Sequence, residues 1–174
     1  MKKIVLLTGD DLEHHYVANM LCERFQISKI FVGKRVKRSF GNQIKYYLRK
    51  YGLKRFPQLF LRRFINFISR DKKTRSEALN SKEKLEYVNG FRKPETIDLI
   101  EKCIPDVILV YGTGIIPDRI LNIASIKSLN MHTGVSPYYR GAACAFWPLY
   151  NEELDMIGAT VHQCVSDVDG GETY

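Results

Sequence analysis

Asp106-Val107-Ile108-Leu109-Val110-Tyr111-Gly112 is the stretch on which the fold reading turns. Its apolar residues run without a break and stop at a glycine, with Thr113-Gly114 behind it. A strand with one wet face alternates apolar and polar residues; an unbroken run means both faces are covered, as in a parallel sheet between helices. Working outward, Lys3 to Leu7 has the same character and reads as a first buried strand. Asp10 or Asp11 then caps a helix through about Phe25, with Val17, Met20, Leu21 and Cys22 on its apolar side. Lys29 to Gly33 reads as a second strand and completes a strand–helix–strand unit. Beyond residue 75 the alternation resumes. Leu85 to Val88 is a weak strand, Pro94 to Cys103 a helix with proline near its start, and Lys127 to Met131 a strand. Ala142 to Tyr150 reads as a helix and Ala159 to Val165 as a last strand. The order is that of an α/β protein with a doubly wound, mostly parallel sheet.

Composition sets the bounds. The chain has 174 residues, 45% of them hydrophobic and 26% charged, which suits one soluble domain with a real core. No apolar run approaches the roughly 20 residues that span a bilayer. Met1 to Leu7 has the basic tip and apolar stretch of a short signal peptide, but it continues into Thr8-Gly9-Asp10-Asp11 without a small-residue cleavage site. A cytoplasmic protein is expected. Cys22, Cys103, Cys144 and Cys164 are scattered, with no Cys-x-x-Cys pair, so neither a zinc site nor a disulfide framework is expected.

Charge is informative once it is located. The total is +8, from 27 Lys and Arg against 19 Asp and Glu. Between Lys34 and Arg75 stand 15 basic residues and one acid, Asp71, so this segment carries +14 and the rest of the chain −6. Ile44, Tyr47, Leu48 and Tyr51, then Leu61, Phe64, Ile65 and Ile68, recur at helical spacing, and Pro57 separates the two sets. The segment reads as a basic helical insertion over residues 34–75. Its bland reading is a solvated helical pair. An anionic membrane surface or RNA backbone would suit the same residues, with nucleic acid ranked below the membrane.

Ligands of open α/β sheets bind beyond the carboxyl ends of the strands. Two segments there carry reactive side chains: Leu129 to Gly134 and Ser166 to Gly171. Asn130 and His132 are two apart on an extended segment and project to the same side, so an amide and an imidazole can address one substrate oxygen. Asp169, from the neighbouring loop, can hold or titrate the imidazole.

Asn130-Met131-His132, Pro137-Tyr138-Tyr139-Arg140-Gly141, Gly158-Ala159-Thr160-Val161-His162 and Asp169-Gly170-Gly171 follow one another in an order that resembles the 10-formyltetrahydrofolate-dependent formyltransferases. That family includes glycinamide ribonucleotide transformylase, methionyl-tRNA formyltransferase and the sugar N-formyltransferases. The resemblance covers about Pro105 to Gly171 and implies a Rossmann-like formyltransferase domain over residues 1–174. It also implies that the C-terminal part of such a domain is lacking.

The resemblance implies that Asn130, His132 and Asp169 are the catalytic residues. A primary amine attacks the formyl carbon, and Asn130 and a charged His132 would donate to the developing oxyanion, each worth about 2.7–4 kcal/mol. Deprotonating a lysine-like amine at pH 7 costs about 4 kcal/mol, so Asp169 is needed to move the proton and keep His132 charged. The folate would lie against backbone at Ile108, Leu109, Val110, Tyr111 and Gly112 and at Val165, Ser166 and Asp167. Thr133, Gly134, Arg140 and Gly141 would face the acceptor. No metal is implied.

The acceptor is expected to be a small-molecule amine, a nucleotide-linked amino sugar, with glycinamide ribonucleotide or methionyl-tRNA as alternatives. A different class of reading is a truncated, inactive domain that binds nucleic acid or membrane through residues 34–75. A homodimer and a membrane-peripheral location are further expectations. His162 reads as a packing or supporting residue, His14-His15 as a solvated helix face, and Trp147 as core. Arg140 is balanced between gripping an anion and fixing a loop. Glu172, Thr173 and Tyr174 are expected to be too few to pair along a sheet edge, which would leave the Asp169 loop unsupported and the activity low without another chain.

Overall fold

A computed structural model of the chain describes residues 2–34, 49, 82–141 and 143–174. The helical reading of residues 35–75 lies, Arg49 apart, outside the described residues. In chain order the elements are β1 (Ile4–Gly9), α1 (Leu12–Arg24), β2 (Ile27–Gly33), β3 (Leu85–Val88), α2 (Pro94–Glu101) and β4 (Val107–Tyr111). They continue with α3 (Asp118–Leu121), β5 (Lys127–His132), α4 (Trp147–Tyr150) and β6 (Thr160–Gln163). The strands form one sheet in the order β3-β2-β1-β4-β5-β6. All pairs are parallel except β5 with β6. This is the doubly wound, mostly parallel α/β sheet read from the sequence, with its winding reversal between β1 and β4.

The buried apolar runs work as two-sided strands. Val5 and Leu7 join Phe31, Ile100, Ile108 and Val110 on one face of the sheet, while Leu6 joins Ala18, Ile27, Ile30 and Val32 on the other. The amino edge is stapled by Asp106. Its carboxylate accepts from the Lys3 N–H at 2.7 Å and from Ser125 Oγ at 2.8 Å. Those two hydrogen bonds hold its carboxyl below the usual carboxylate range.

At the opposite edge the structure overturns one reading. His14 is buried, 9% exposed, rather than solvated. Asp11 precedes the first turn of α1, and its backbone N–H donates to His14 Nδ1 at 3.4 Å, which folds the ring back over the helix start. The ring then fills the reversal point. A Cβ on Gly9 would lie 2.5 Å from Nδ1, and one on Gly112 would lie 2.1 Å from Nε2. Tyr111 meets the ring edge-on, with centroids 5.5 Å apart. The solvated reading fails at His14 because the helix starts directly above two glycines, which leave room for the ring.

Three further expectations change. Trp147 is 47% exposed and lies edge-on to Phe146 and Tyr150, so it is not core. The helix expected from Ala142 is the short α4, begun by Trp147-Pro148. The last residues do pair: Gln163 N–H donates to Glu172 O at 2.8 Å, Tyr174 N–H to Val161 O at 2.9 Å, and Thr173 bridges antiparallel to His162. Three residues suffice because each backbone bond alternates in direction, so a two-residue step already makes a ladder rung.

Gly112 has φ +63, a conformation that side chains other than glycine rarely adopt. Gly112→Ala is therefore expected to destabilise the fold by about 1–3 kcal/mol, from backbone strain and the clash with His14. Urea unfolding measures it. In the His14→Ala background the steric part disappears, and the double-mutant cycle should show coupling between the two positions.

Candidate active site

The site is built where β5 ends. Asn130 and His132 sit two apart on this strand, and Asn130 pairs directly across with His162 of β6. Residues opposite one another on antiparallel strands project to the same side, so Asn130, His132 and His162 converge. The rings of His132 and His162 are 6.3 Å apart between centroids. Asp169 completes the group. Its Oδ2 lies 3.5 Å from His132 Nδ1 and its Oδ1 3.3 Å from His162 Nε2. Asn130 Nδ2 donates to the same Oδ1 at 3.2 Å.

The route that brings Asp169 there differs from the sequence reading. Because β6 is antiparallel, its chain leaves opposite Leu129, and Cys164 N–H donates to Ser128 O at 2.8 Å on the way. The loop from Val165 to Gly171 thus starts away from the carboxyl edge and doubles back to reach Asn130 and His132. Two neighbouring residues lock the return. Gly141 N–H donates to Asp169 Oδ2 at 2.8 Å, and Arg140 donates through Nε to Val168 O at 2.8 Å and through a terminal nitrogen to Asp167 Oδ2 at 2.7 Å. Asp169 itself has φ +50, a strained conformation for a residue with a side chain.

The loop after β5 closes over His132. Nε2 of the ring is 3.0 Å from Tyr139 O, an acceptor, and the ring is 8% exposed. Gly134 makes this approach feasible, since a Cβ there would lie 2.5 Å from Tyr139 O and 2.6 Å from His132 Nε2. Thr160 Oγ1 ties the loop to β6 by donating to Gly134 O at 2.6 Å while accepting from Ser136 N–H at 3.0 Å.

Asn130, His132 and Asp169 therefore come together, and His162 joins them. Sequence reading left His162 as a supporting residue because the antiparallel register that sets it against Asn130 has no signature in a single strand. Tyr139 O and Gly141 N–H went unforeseen because they are backbone groups. Of the residues assigned to the acceptor, Thr133 and Gly141 are exposed, Gly134 is buried under the loop, and Arg140 is engaged with the Asp169 loop. Of those assigned to the folate, Ile108 and Val110 have side chains in the core and Leu109 packs on the opposite cluster. Gly112, Val165, Ser166 and Asp167 are exposed. Among the described residues no group of three or more His, Cys, Asp or Glu is placed to hold a metal ion.

A nearly buried imidazole–carboxylate–amide cluster at the end of β5, one strand in from the edge of a doubly wound sheet, has the groups that α/β group-transfer and hydrolytic sites use. The family model described as formyl transferase matches residues 68–174, well over half of the sequence, and the chain belongs to that family. Two curated methionyl-tRNA formyltransferases are similar to it: that of Sulfurihydrogenibium sp., 33% identical over 84 residues, and that of Geobacter sulfurreducens, 37% identical over 82. The matches cover 46% and 47% of this chain but only 26% of each relative.

Solved structures share the fold. Phosphoribosylglycinamide formyltransferase from Streptococcus pneumoniae aligns over all of this chain and 79% of its own, with a TM-score of 0.58 and 15% identity. A formyltetrahydrofolate deformylase from Pseudomonas syringae aligns over 99% of this chain and 49% of its own, with a TM-score of 0.57 and 16% identity.

Two thiols report on Asp169. Burial, reinforced by the Asp169 charge, pushes the Cys164 thiol up to about 11 and raises that of Cys144. At pH 8, iodoacetamide is expected to alkylate Cys164 ~100-fold more slowly than an unshifted thiol, with the rate still climbing at pH 10. Peptide mass spectrometry on the folded chain measures this. Asp169→Asn removes the lesser of the two causes and should speed the reaction; an unchanged rate would mean that burial alone raises the thiol.

Proposed function

We propose that the chain transfers a formyl group from 10-formyltetrahydrofolate to a primary amine, with Asn130, His132 and Asp169 as the working residues. The observation that carries this reading is the convergence of these three side chains on the end of β5 in a member of the formyl transferase family. Residues 1–174 would carry the catalytic domain, with the basic segment 34–75 inserted in it.

Bound 10-formyltetrahydrofolate supplies the formyl carbon, with Gly112 and Val165 to Asp167 as the backbone that holds it. His132 exchanges its Tyr139 carbonyl for the formyl oxygen, so Nε2–H donates where negative charge develops. Asp169, 3.5 Å from Nδ1, pairs with the ring and stands ready to take the proton that the attacking amine must lose and to return it to the folate nitrogen as its bond to the formyl carbon breaks. Desolvation strengthens both effects, because His132 and Asp169 are nearly buried. Thr133, Gly134, Arg140 and Gly141 form the loop nearest the acceptor. Arg140 acts first by fixing the Asp169 loop.

For the acceptor we favour the amine of a nucleotide-linked amino sugar, a small anionic substrate that suits the excess of basic residues between Lys34 and Arg75. Methionyl-tRNA is the second reading, favoured by the 33% and 37% identity to enzymes of that name. No described helix is long and apolar enough to cross a membrane. A cytoplasmic enzyme, bound to an anionic membrane surface through the basic segment, fits this reading, as does a homodimer.

The test is incubation with 10-formyltetrahydrofolate and a panel of amines, following release of tetrahydrofolate. Amine-dependent release with a nucleotide-linked amino sugar is expected, and release only with charged tRNA would select the second reading. No release with any amine would overturn formyl transfer. His132→Ala should lower turnover by about 10²-fold or more while sparing folate affinity, because the folate rests on backbone. Loss of folate binding along with turnover would make His132 a structural residue.

A further inference from the structure

Doubly wound sheets seat ligands where the strand order reverses, and a helix that starts there turns its free N–H groups toward a phosphate. In this chain that place is the gap between β1 and β4, under the start of α1, and it is closed. The His14 ring occupies it, wedged so tightly against Gly9 and Gly112 that a Cβ on either glycine would overlap the ring. The backbone donors are engaged as well. Asp11 N–H points at His14 Nδ1, 3.4 Å away, and His14 N–H donates to Asp11 O at 3.0 Å. The other ring nitrogen, Nε2, is 3.5 Å from Glu13 Oε1. Asp10, Asp11 and Glu13 cluster at this helix start, and residues 4–23 contain no Lys or Arg. An anion entering here would have to displace a buried ring and then face three carboxylates.

The closed place lies within reach of the reacting groups. Tyr111 pairs with Thr8 on one side and Met131 on the other, so Gly9, Gly112 and His132 follow at the same level of the carboxyl edge. Neighbouring strands are about 4.8 Å apart, which puts the end of β1 about 10 Å from the end of β5. A phosphorylated pentose spans that distance. Asp169, paired with both His132 and His162, occupies the β6 side of the site. A small acceptor whose amine meets His132 therefore extends over β4 toward β1.

We propose that His14 is a specificity-determining residue: it denies the reversal point to a phosphate monoester, so that the chain selects an amine acceptor with no terminal phosphate at its far end. This rests on the formyl-transfer reading and narrows it. Glycinamide ribonucleotide ends in such a phosphate and is disfavoured. An amino sugar joined to its nucleotide through a diphosphate has no terminal monoester to place there. A filled cleft ringed by like charge discriminates by penalising the wrong ligand rather than by gripping the right one.

Phosphate binding is read on the folded chain without any reaction. In ¹H–¹⁵N correlation spectra, inorganic phosphate and ribose 5-phosphate at millimolar concentration should leave the amides of Gly9 to Glu13 in place. Saturable shifts of these amides in the unaltered chain would overturn the proposal, and this arm stands whether or not any variant folds. Asp10→Asn with Glu13→Gln removes two charges and keeps the ring, and these amides should stay silent. Adding His14→Ala should make them respond saturably to both probes. A response before His14 is replaced, or none afterwards in a folded variant, would show that the ring is not what bars the phosphate.

Kinetics supply the second arm. The ratio of kcat/KM for glycinamide ribonucleotide to that for its dephosphorylated form should rise about tenfold when His14→Ala is added to the two charge changes. An unchanged ratio would sink the proposal, since basic residues elsewhere contribute equally to both variants. If the unaltered chain formylates no amine at all, the functional reading fails, and the spectra still decide whether His14 closes the reversal point.

Discussion

Asp169 is the carboxylate on which the arrangement of the site depends. Its two oxygens meet His132, His162, the Asn130 amide and the Gly141 N–H, four groups from three separate stretches of chain. Nearly buried and surrounded by donors, it is paired on every side, which is the condition under which a charge survives out of water. Its φ of +50 is a strain on the order of 1–3 kcal/mol, and that strain is tolerated only because the neighbours over-determine the position. Arg140 supplies much of that determination, holding Asp167 and Val168 so that the next residue has little choice.

Holding Asp169 there is a problem of topology as well as of contacts. A parallel sixth strand would have delivered the following loop straight to the carboxyl edge. The antiparallel β6 delivers it to the wrong end, and the chain must return. Pairing of Glu172 to Tyr174 back onto β6 closes the far side of that return, so the loop is pinned at both of its ends and across its middle. Gly171 sits at the closure, where a Cβ would lie 1.9 Å from Gln163 O, and no larger residue fits.

The same edge carries a second adaptation, one reversal point away. His14 fills the gap between β1 and β4, where sheets of this topology commonly seat a ligand. With that gap filled by a side chain of the protein, the reactive groups gather one strand further on, around β5 and β6. The chemistry available there is a polar cluster of Asn130, His132, His162 and Asp169 over buried strands.

Much of this was legible in the residues. The unbroken apolar runs at Ile4 to Leu7 and Val107 to Tyr111 require cover on both faces, and that alone dictates a parallel sheet between helices. The i, i+2 spacing of Asn130 and His132 places them on one side of an extended strand, because the pleat has a period of two. What the sequence could not contain was pairing partner and direction. The period of two is the same whichever way a neighbour runs, so nothing in Thr160 to Gln163 announced that β6 is antiparallel, that His162 faces Asn130, or that three terminal residues suffice to pair. Burial of His14 and exposure of Trp147 escaped for a related reason. Each depends on what stands across from the residue, two glycines in one case and solvent in the other, and only the tertiary structure brings those neighbours together.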